Sequence, residues 1–380
     1  MVKFVHSGDW QLGMPRHFLR GEAQARFDAA RLDAVERIGA LAVEENCAFV
    51  VVCGDVFESN QVSRQVLVRA FEKMRANPQV TFFLLPGNHD PLDASSIFRS
   101  PAFVEQRPDN VRVLESESPV ELSHGVELVP APWPNKHPTS DLAAAACEGL
   151  GPTDAVRIVV GHGAVDSMSP NPVDPKLIAL DRLEELLDGG VIHYVALGDR
   201  HSTTDVGASG RVWYAGAPEP TDYDETDPGN VLIVDLTAAG QVDVRRVGVG
   251  TWRFLRCERH LSADEDIDEL EEWLAGLDDK DRTIVKLSIV GSVSVAQKAR
   301  LDRLLEHHAD LLAALELWER RSDLVLVPDD ADLEHFGLSG FAHEALLEVS
   351  GMAEDPADEE QAVAARDALT LLHRLVESRS

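Results

Sequence analysis

Short apolar runs alternate with amphipathic stretches through the first hundred residues of the chain. Strand-like runs cover Val2–His6, Phe49–Cys53 and Val80–Leu85. Apolar residues at helical spacing fill the intervals, near Glu22–Glu44 and Val62–Arg75. Strands that alternate with helices are typical of α/β folds. The sequence therefore predicts a layered α/β structure over this part of the chain.

The stretch that follows is richer in β-structure. Its strand-like runs cover Arg157–Val160, Tyr194–Leu197, Arg211–Tyr214, Val231–Leu236 and Gln241–Val247. The last two runs are separated by a short turn that contains glycine, which predicts a hairpin. We expect residues 1–257 to form one domain.

The pattern changes after Cys257. The next predicted elements are a helix, a strand, a helix and a strand, near Asp264–Leu274, Thr283–Val290, Val295–Ala314 and Leu324–Val327. They indicate a small α+β domain over residues 258–328. Helical segments near Leu333–Val349 and Glu359–Glu377 then predict a C-terminal helical region over residues 329–380.

Polar residues that can bind metal ions follow five of the strand-like runs. The clusters are Gly8-Asp9-Trp10-Gln11, Gly54-Asp55-Val56-Phe57, Gly87-Asn88-His89-Asp90, Gly161-His162-Gly163 and Gly198-Asp199-Arg200-His201. Glycine lets the backbone turn sharply, and α/β sheets commonly place their sites at strand ends. Converging ligands of this kind suit two divalent ions and the hydrolysis of phosphate esters. One cluster alone is ordinary turn chemistry, so the order of all five indicates the site.

Taken in order, these clusters resemble the pattern of the calcineurin-like metallophosphoesterase superfamily. Within it, the chain is most similar to the SbcD-type DNA repair exonucleases, through His6–Gly13, Gly54–Phe57 and Tyr214–Pro218. The resemblance covers roughly residues 1–235. It implies an α/β fold, a layered β-sandwich flanked by helices, with a small α+β cap domain and C-terminal helices.

The resemblance also implies a set of site residues. One metal ion would be held by Asp9, Gln11, Asp55 and His201. The second would be held by Asp55, Asn88, His162 and Asp199, so that Asp55 bridges the two ions. The catalytic residues would be His89, which stabilises or protonates the departing oxygen, and Asp90, which orients His89.

Two of these positions depart from the family pattern. Gln11 and Asp199 stand where the family has histidine. Because both supply oxygen ligands, the ions expected are two Mn²⁺ or Mg²⁺ rather than Zn²⁺. The alternative is that Gln11 turns away and the first ion binds weakly or not at all.

Substrate and partner contacts are expected outside the metal ligands. Arg16, Arg20 and Arg200 are candidates for contact with a nucleic-acid backbone. Alternatively, the first two lie on an exposed helix face and Arg200 pairs with Asp199. The resemblance implies DNA as substrate and a coiled-coil ATPase of the SbcC type as partner, and it leaves a homodimer open. Apolar residues of the last helices would either bind that partner or pack on the chain's own core: Phe336, Leu338, Phe341, Leu346 and Leu347.

Charge and cysteine content exclude other classes of protein. The net charge is −31, from 35 Lys and Arg against 66 Asp and Glu, which argues against a protein that coats nucleic acid by charge alone. Residues 1–110 are nearly neutral, with 12 basic against 14 acidic residues. The acid excess elsewhere is compatible with a salt-rich cytoplasm, a basic partner or solubility. Four cysteines without Cys-x-x-Cys spacing predict neither a disulfide framework nor a zinc finger.

The apolar runs are all shorter than the ~18 residues of a membrane-spanning helix. The opening Met1–Asp9 becomes polar too early for a signal peptide. We therefore expect a cytoplasmic protein without membrane contact.

Three functions remain on the sequence alone. The first is a manganese-dependent DNA exonuclease, the nuclease subunit of an SbcCD-like repair complex. The second is a phosphoesterase of small substrates, such as a cyclic nucleotide or a phosphomonoester. The third is a non-catalytic scaffold that regulates a partner ATPase, which the changes at Gln11 and Asp199 suggest.

Overall fold

The structure is a computed structural model that describes residues 1–123, 125–237, 241–326, 340–353, 361, 364–365 and 368. The chain separates into two compact units. The first comprises Met1–His17 and Gln24–Trp252, and the second comprises Phe18–Ala23 and Arg253–Ser380. The division falls before residue 257, because one continuous strand runs from Arg253 to Leu261.

Two six-stranded sheets form the first unit. The strands of the first sheet are β1 (Val2–Ser7), β2 (Phe49–Cys53), β3 (Thr81–Leu85), β4 (Val111–Val113), β11 (Asn230–Leu236) and β12 (Val242–Gly248), in the order β12-β11-β1-β2-β3-β4. Those of the second are β5 (Val120–Ser123), β6 (Val126–Pro130), β7 (Val156–His162), β8 (Tyr194–Gly198), β9 (Thr204–Val206) and β10 (Val212–Tyr214), in the order β5-β6-β7-β8-β10-β9. Antiparallel pairing of β11 with β12 confirms the predicted hairpin.

Helices lie on the outer face of each sheet. They are α1 (Ala23–Glu44), α2 (Arg64–Arg75), α3 (Pro101–Gln106), α4 (Leu142–Ala146) and α5 (Leu180–Asp188). The strands of the first sheet alternate between two apolar cores. Val50 and Val52 face the core that contains Ile38 of α1, whereas Val51 faces the core shared with Ile158 of the second sheet. The predicted layered β-sandwich flanked by helices is confirmed.

Strand direction explains where the polar clusters meet. β1, β2 and β3 are parallel neighbours, so the loops that follow them leave the sheet at one edge. β7 and β8 are also parallel, and His162 is directly opposite Gly198 across that pair. The carboxyl ends of all five strands carry the clusters noted in the sequence.

The second unit contains a parallel sheet of four strands. Its elements are β13 (Arg253–Leu261), α6 (Asp264–Ala275), β14 (Thr283–Val293), α7 (Val295–Leu311), β15 (Ala314–Leu317), β16 (Asp323–Leu326) and α8 (Phe341–Ala353). β14 pairs with β13 on one side and with both β15 and β16 on the other. The predicted extension of the long helix to Ala314 is wrong, because Leu312 is extended and Ala314 begins β15.

Part of the predicted C-terminal region lies outside the described residues, including Phe336, Leu338 and most of the segment 359–377. Of the other apolar residues named for a partner face, Phe341 and Leu347 are exposed on α8, and the side chain of Leu346 is not described. Among the described residues, none of the helices is long and apolar enough to cross a membrane.

Candidate metal centre

Three buried side chains form the centre of the candidate site. Asp9 follows β1, Asp55 follows β2 and His162 is the last residue of β7. One ligand atom from each lies within 4.8 Å of the others. Two carboxylates and an imidazole at this separation are the donor set of a divalent metal site.

His162 has one ring nitrogen fixed by the backbone and the other aimed at oxygen ligands. Nδ1 donates to the Cys53 carbonyl at 2.8 Å. Nε2 lies 2.6 Å from Asn88 Oδ1 and 3.4 Å from Asp55 Oδ1. It also lies 3.7 Å from Asp199 Oδ1. Fixing of one nitrogen by a carbonyl is how proteins orient a metal-binding histidine.

The electrostatic field at His162 favours a cation. Burial lowers the pKa of His162, but the charges of Asp55, Asp199 and Asp9 outweigh it and raise the pKa to about 9. The pKa of Asp9 is raised to about 6, mainly by burial. The site therefore holds more negative charge than its burial easily accommodates, and a bound cation would relieve this.

Gln11 and His201 form a second group beside Asp9. Gln11 Nε2 lies 3.3 Å from His201 Nε2, while Gln11 Oε1 is buried without a hydrogen-bond partner among the described residues. His201 Nδ1 lies 2.6 Å from Thr221 Oγ1 and 3.0 Å from Glu225 Oε1. Burial opposes protonation of His201, yet the hydrogen bond to Glu225 and the charge of Asp9 raise its pKa. Gln11 thus lies next to His201, which is expected to bind the same metal ion.

His89 lies at the rim of the cluster and is partly exposed. Its Nδ1 lies 2.9 Å from the Glu58 carbonyl, to which it donates, and its Nε2 lies 3.9 Å from Asp55 Oδ2. The His89 backbone N–H donates to Asp55 Oδ1 at 2.9 Å. The free edge of the ring therefore faces the carboxylate that was predicted to bridge the metal ions.

The structure corrects the expected partnership between Asp90 and His89. Both Asp90 oxygens accept backbone hydrogen bonds, from Gly87 at 2.7 Å and from Phe57 at 2.9 Å. The ring of His89 is instead held by Glu58. Burial and the charge of Asp55 raise the pKa of Asp90 to about 7. Asp90 fixes the loops after β2 and β3 to each other.

The three arginines expected near substrate lie in different surroundings. Arg16 Nη2 donates to the Thr221 carbonyl, next to the residues that hold His201. Arg200 Nε donates to Thr204 Oγ1 at 2.8 Å, so the suggested pairing with Asp199 is replaced by a hydroxyl partner. Arg20 is exposed and belongs to the second unit.

Backbone strain is concentrated at the predicted ligands. Among the described residues, six that are not glycine have positive φ, and four of these are Asp9 at 52°, Gln11 at 43°, Asp55 at 51° and Asp199 at 94°. This conformation is unfavourable for residues with a Cβ and persists where surrounding contacts impose it. Close approach of the loops requires glycine as well, since a Cβ on Gly54 would lie 2.1 Å from His162 Nδ1.

The residues present fit a pair of divalent ions. The donors are carboxylates, amide oxygens and imidazoles, and the buried Oε1 of Gln11 has no partner of its own among the described residues. Contacts to the site that the sequence did not predict come from the Cys53 and Glu58 carbonyls and the side chains of Thr221 and Glu225. No local motif marks these residues, because each contact joins segments far apart in the sequence.

Comparison with known proteins identifies the family of the chain that carries this cluster. The model of the calcineurin-like phosphoesterase family matches residues 2–203, which include all of the predicted metal ligands. The chain belongs to the calcineurin-like phosphoesterase family. The expected superfamily is thereby confirmed, and membership indicates a metal-dependent phosphoesterase that uses divalent ions.

Individual relatives match over smaller regions or at lower identity. A stretch of 94 residues is 30% identical to the SbcD subunit of the nuclease SbcCD of Rhodobacter capsulatus, over 24% of this chain and 22% of that protein. The match therefore spans less than a quarter of that relative. A solved structure of TT1561 from Thermus thermophilus is 12% identical, with a TM-score of 0.41 over 65% of this chain and 99% of that chain. A dimetal phosphatase from Danio rerio is 13% identical, with a TM-score of 0.40 over 65% of this chain and 96% of that one.

Proposed function

We propose that this phosphoesterase is a metal-dependent DNA exonuclease. The observation that carries the proposal is the meeting of Asp9, Asp55 and His162 within 4.8 Å, with an exposed edge of His89 beside Asp55. This arrangement places metal-binding side chains and a proton donor next to each other, so that both can act on one phosphodiester. Both functions accelerate the hydrolysis of a phosphodiester.

The chain offers two overlapping sets of metal ligands. Asp9, Gln11, Asp55 and His201 would hold one ion. Asp55, Asn88, His162 and Asp199 would hold the other. When bound, divalent ions supply Lewis-acid polarisation of the phosphoryl group. The many oxygen donors favour Mn²⁺, or Mg²⁺, over Zn²⁺.

His89 would act on the leaving oxygen. Because its Nδ1 proton is committed to the Glu58 carbonyl, the transferable proton of the imidazolium is the one on Nε2. That nitrogen is on the edge of the ring facing Asp55. His89 therefore donates from Nε2 to the sugar oxygen as the phosphodiester bond breaks, and the carbonyl keeps the ring aligned.

DNA and an SbcC-like ATPase are proposed from the partial similarity to the SbcD subunit of the R. capsulatus nuclease. Arg16 is suited to contact the DNA backbone, because it is held against the Thr221 carbonyl near the metal ligands. Arg200 is suited to the same role through its position between Asp199 and His201.

A small phosphodiester is the second candidate substrate, and one observation favours it. A cavity of about 360 Å³ adjoins Asp199 and His201. Acidic residues Asp222, Asp224 and Glu225 contribute to its lining, together with Arg200. Such a wall repels a long polyanion more than a substrate with a single phosphate.

The decisive experiment is hydrolysis by the purified protein with Mn²⁺. The substrates are end-labelled single- and double-stranded DNA and, separately, a small phosphodiester. Degradation of DNA from its ends would support the exonuclease if the Asp55→Ala variant lacks this activity. Cleavage of the small diester alone would support the second candidate. If neither substrate is cleaved with or without an SbcC-like ATPase, the nuclease proposal is wrong. Failure to bind two Mn²⁺ ions as well would favour a regulatory scaffold.

A further inference from the structure

A further strand of the second sheet ends beside the candidate metal centre. β6 is parallel to β7, with Pro130 opposite Val160. Its carboxyl end therefore lies next to that of β7, which ends at His162. Residues 131–134, which follow β6, are Ala-Pro-Trp-Pro. Since these side chains are not ligands of divalent ions, no metal-binding motif marks this strand end.

The backbone of Trp133, in this segment, holds the loop that follows β3. Trp133 lies between two prolines, and a residue that precedes proline favours extended backbone. Its N–H donates to the Pro86 carbonyl at 3.1 Å, and its carbonyl accepts from the Leu92 N–H at 2.9 Å. We call the segment 86–92 the His89 loop. Both ends of the His89 loop are thus held by one residue.

The indole of Trp133 connects the His89 loop to a predicted metal ligand. Its Nε1 donates to the backbone carbonyl of His162 at 2.7 Å. The two rings meet edge to face, with their centroids 5.9 Å apart. A Cβ on Gly163 would lie 3.7 Å from Trp133 Cζ2, so the indole also lies against the turn that follows β7. Because Nδ1 of His162 donates to the Cys53 carbonyl, both the backbone and the ring of His162 are fixed.

Binding of an ion would remove the direct contact between two ligands of the second metal ion. His162 Nε2 lies 2.6 Å from Oδ1 of Asn88, which belongs to the His89 loop. Oδ1 only accepts hydrogen bonds, so this contact requires a proton on Nε2. Coordination replaces that proton, because histidine binds metal ions in its neutral form. Other contacts must then keep Asn88 and His162 at the correct separation.

We propose that Trp133 is a positioning residue for the second metal ion. Its backbone holds the His89 loop, which presents Asn88, and its indole holds the carbonyl of His162. The separation of these two ligands is therefore set across Trp133. The same loop presents the ring of His89, so the alignment of the proton donor depends on Trp133 as well. The inference rests on the metal ligands of the proposed function, but it does not depend on which phosphodiester is cleaved.

Trp133→Phe tests the indole alone, because it removes the Nε1 donor and keeps an aromatic ring and both backbone hydrogen bonds. Calorimetric titration of the full chain with Mn²⁺ should show that the wild type binds two ions. In Trp133→Phe, the affinity for one ion should fall by ~10- to 100-fold, the usual effect of losing a contact that orients a metal ligand. The affinity for the other ion should be unchanged.

A second substitution identifies the ion that Trp133→Phe weakens. Gln11→Ala removes a predicted ligand of the first ion, so in this background Trp133→Phe should weaken binding of the second ion by the same factor. Asn88→Ala removes one of the two ligands that Trp133 aligns. In that background the effect of Trp133→Phe should be smaller, because residues that act through a shared partner are not additive.

Trp213→Phe is the matched control. Trp213 is also half-buried, and its Nε1 donates to the Gly210 carbonyl at 3.0 Å, in the turn before β10. In EDTA both variants should melt slightly below the wild type, since each loses one hydrogen bond to a backbone carbonyl. With Mn²⁺, the increase in Tm should be smaller than that of the wild type in Trp133→Phe but not in Trp213→Phe.

Unchanged affinity of folded Trp133→Phe for both ions would overturn the inference and leave the proposed function intact. Equal weakening of both ions, or the same weakening in Trp213→Phe, would also overturn it, because a general loss of stability would then be responsible. Fewer than two Mn²⁺ ions bound by the wild type would overturn the inference together with the ligand sets on which it rests. Weakening of one ion in a protein that does not cleave DNA would support the inference and contradict only the nuclease function.

Discussion

His89 differs from its neighbours because its ring is fixed at one nitrogen and exposed at the other. We expect His89→Gln to leave metal binding nearly unchanged, since the ring is not among the predicted ligands. Turnover should fall by ~100- to 10,000-fold, the usual contribution of a positioned acid. Parallel Mn²⁺ titration and steady-state hydrolysis separate these two effects. Equal losses of metal affinity and turnover would remove His89 from the role of proton donor.

The buried charge of Asp9 destabilises the metal-free fold, and a neutral replacement should reveal this. Its pKa is raised by burial from 3.8 to about 6, so the folded protein prefers the protonated form. Protonated Asp9 contributes to the stability of the fold fully below the pKa of Asp9 in the unfolded chain. This contribution is lost as the pH rises to about 6. Above that pH, metal-free Asp9→Asn should be more stable than wild type by ~1–3 kcal/mol.

Thermal melting in EDTA at pH 7.5 and pH 4 tests the effect of Asp9→Asn. The advantage of the variant should shrink at the lower pH, and Mn²⁺ should reverse it, because the variant loses a charged ligand. Asp243→Asn is the control, since Asp243 is exposed on β12. A variant that is less stable than wild type at pH 7.5 without metal would contradict the electrostatic explanation.

The loops after the strands depend on glycine for more than flexibility. Gly54 has a φ of 83°, and a Cβ there would lie 2.1 Å from His162 Nδ1. Gly190 has a φ of 64° with no neighbouring atom within 4 Å. Alanine at either position should destabilise the fold by ~1–2 kcal/mol through backbone strain. Only Gly54→Ala should also displace His162 and abolish the increase in Tm that binding of Mn²⁺ to the folded wild type should produce. Loss of that rise in both variants would show that strain alone is responsible.

Periodicity predicted the long elements of this chain well, because their burial is regular. β2 begins and ends where its apolar run does, and α1 differs from the prediction by one residue. The strands β4, β5, β6 and β9, of three to five residues each, were missed since so few positions establish no clear period. The helix α5, of nine residues, was missed as well. The same limit applies to the site. Glycine-rich strand ends indicated Asp55 and His162, but Glu225 contacts His201 only through the folded chain.

The ligands of the candidate metal centre come from both sheets of the first unit. Asp9 and Asp55 follow strands of one sheet, whereas His162 and Asp199 belong to strand ends of the other. A bound ion would therefore connect the two layers. Because an ion that binds only the folded state stabilises it by mass action, Tm should rise with Mn²⁺ concentration.

Protons compete with metal ions for the side chain of His162, which gives metal binding a defined pH dependence. The carboxylates around His162 raise its pKa to about 9 in spite of burial, so its Nε2 is protonated at neutral pH without metal. An ion must displace that proton, and the apparent affinity for Mn²⁺ should increase by up to about tenfold per pH unit between pH 7 and 9. Calorimetry in two buffers with different ionisation enthalpies should detect the released proton at pH 7. His137→Gln, at an exposed histidine, should retain this release. His162→Gln should lose it, and binding of Mn²⁺ to wild type with no pH dependence would show that His162 is not a ligand.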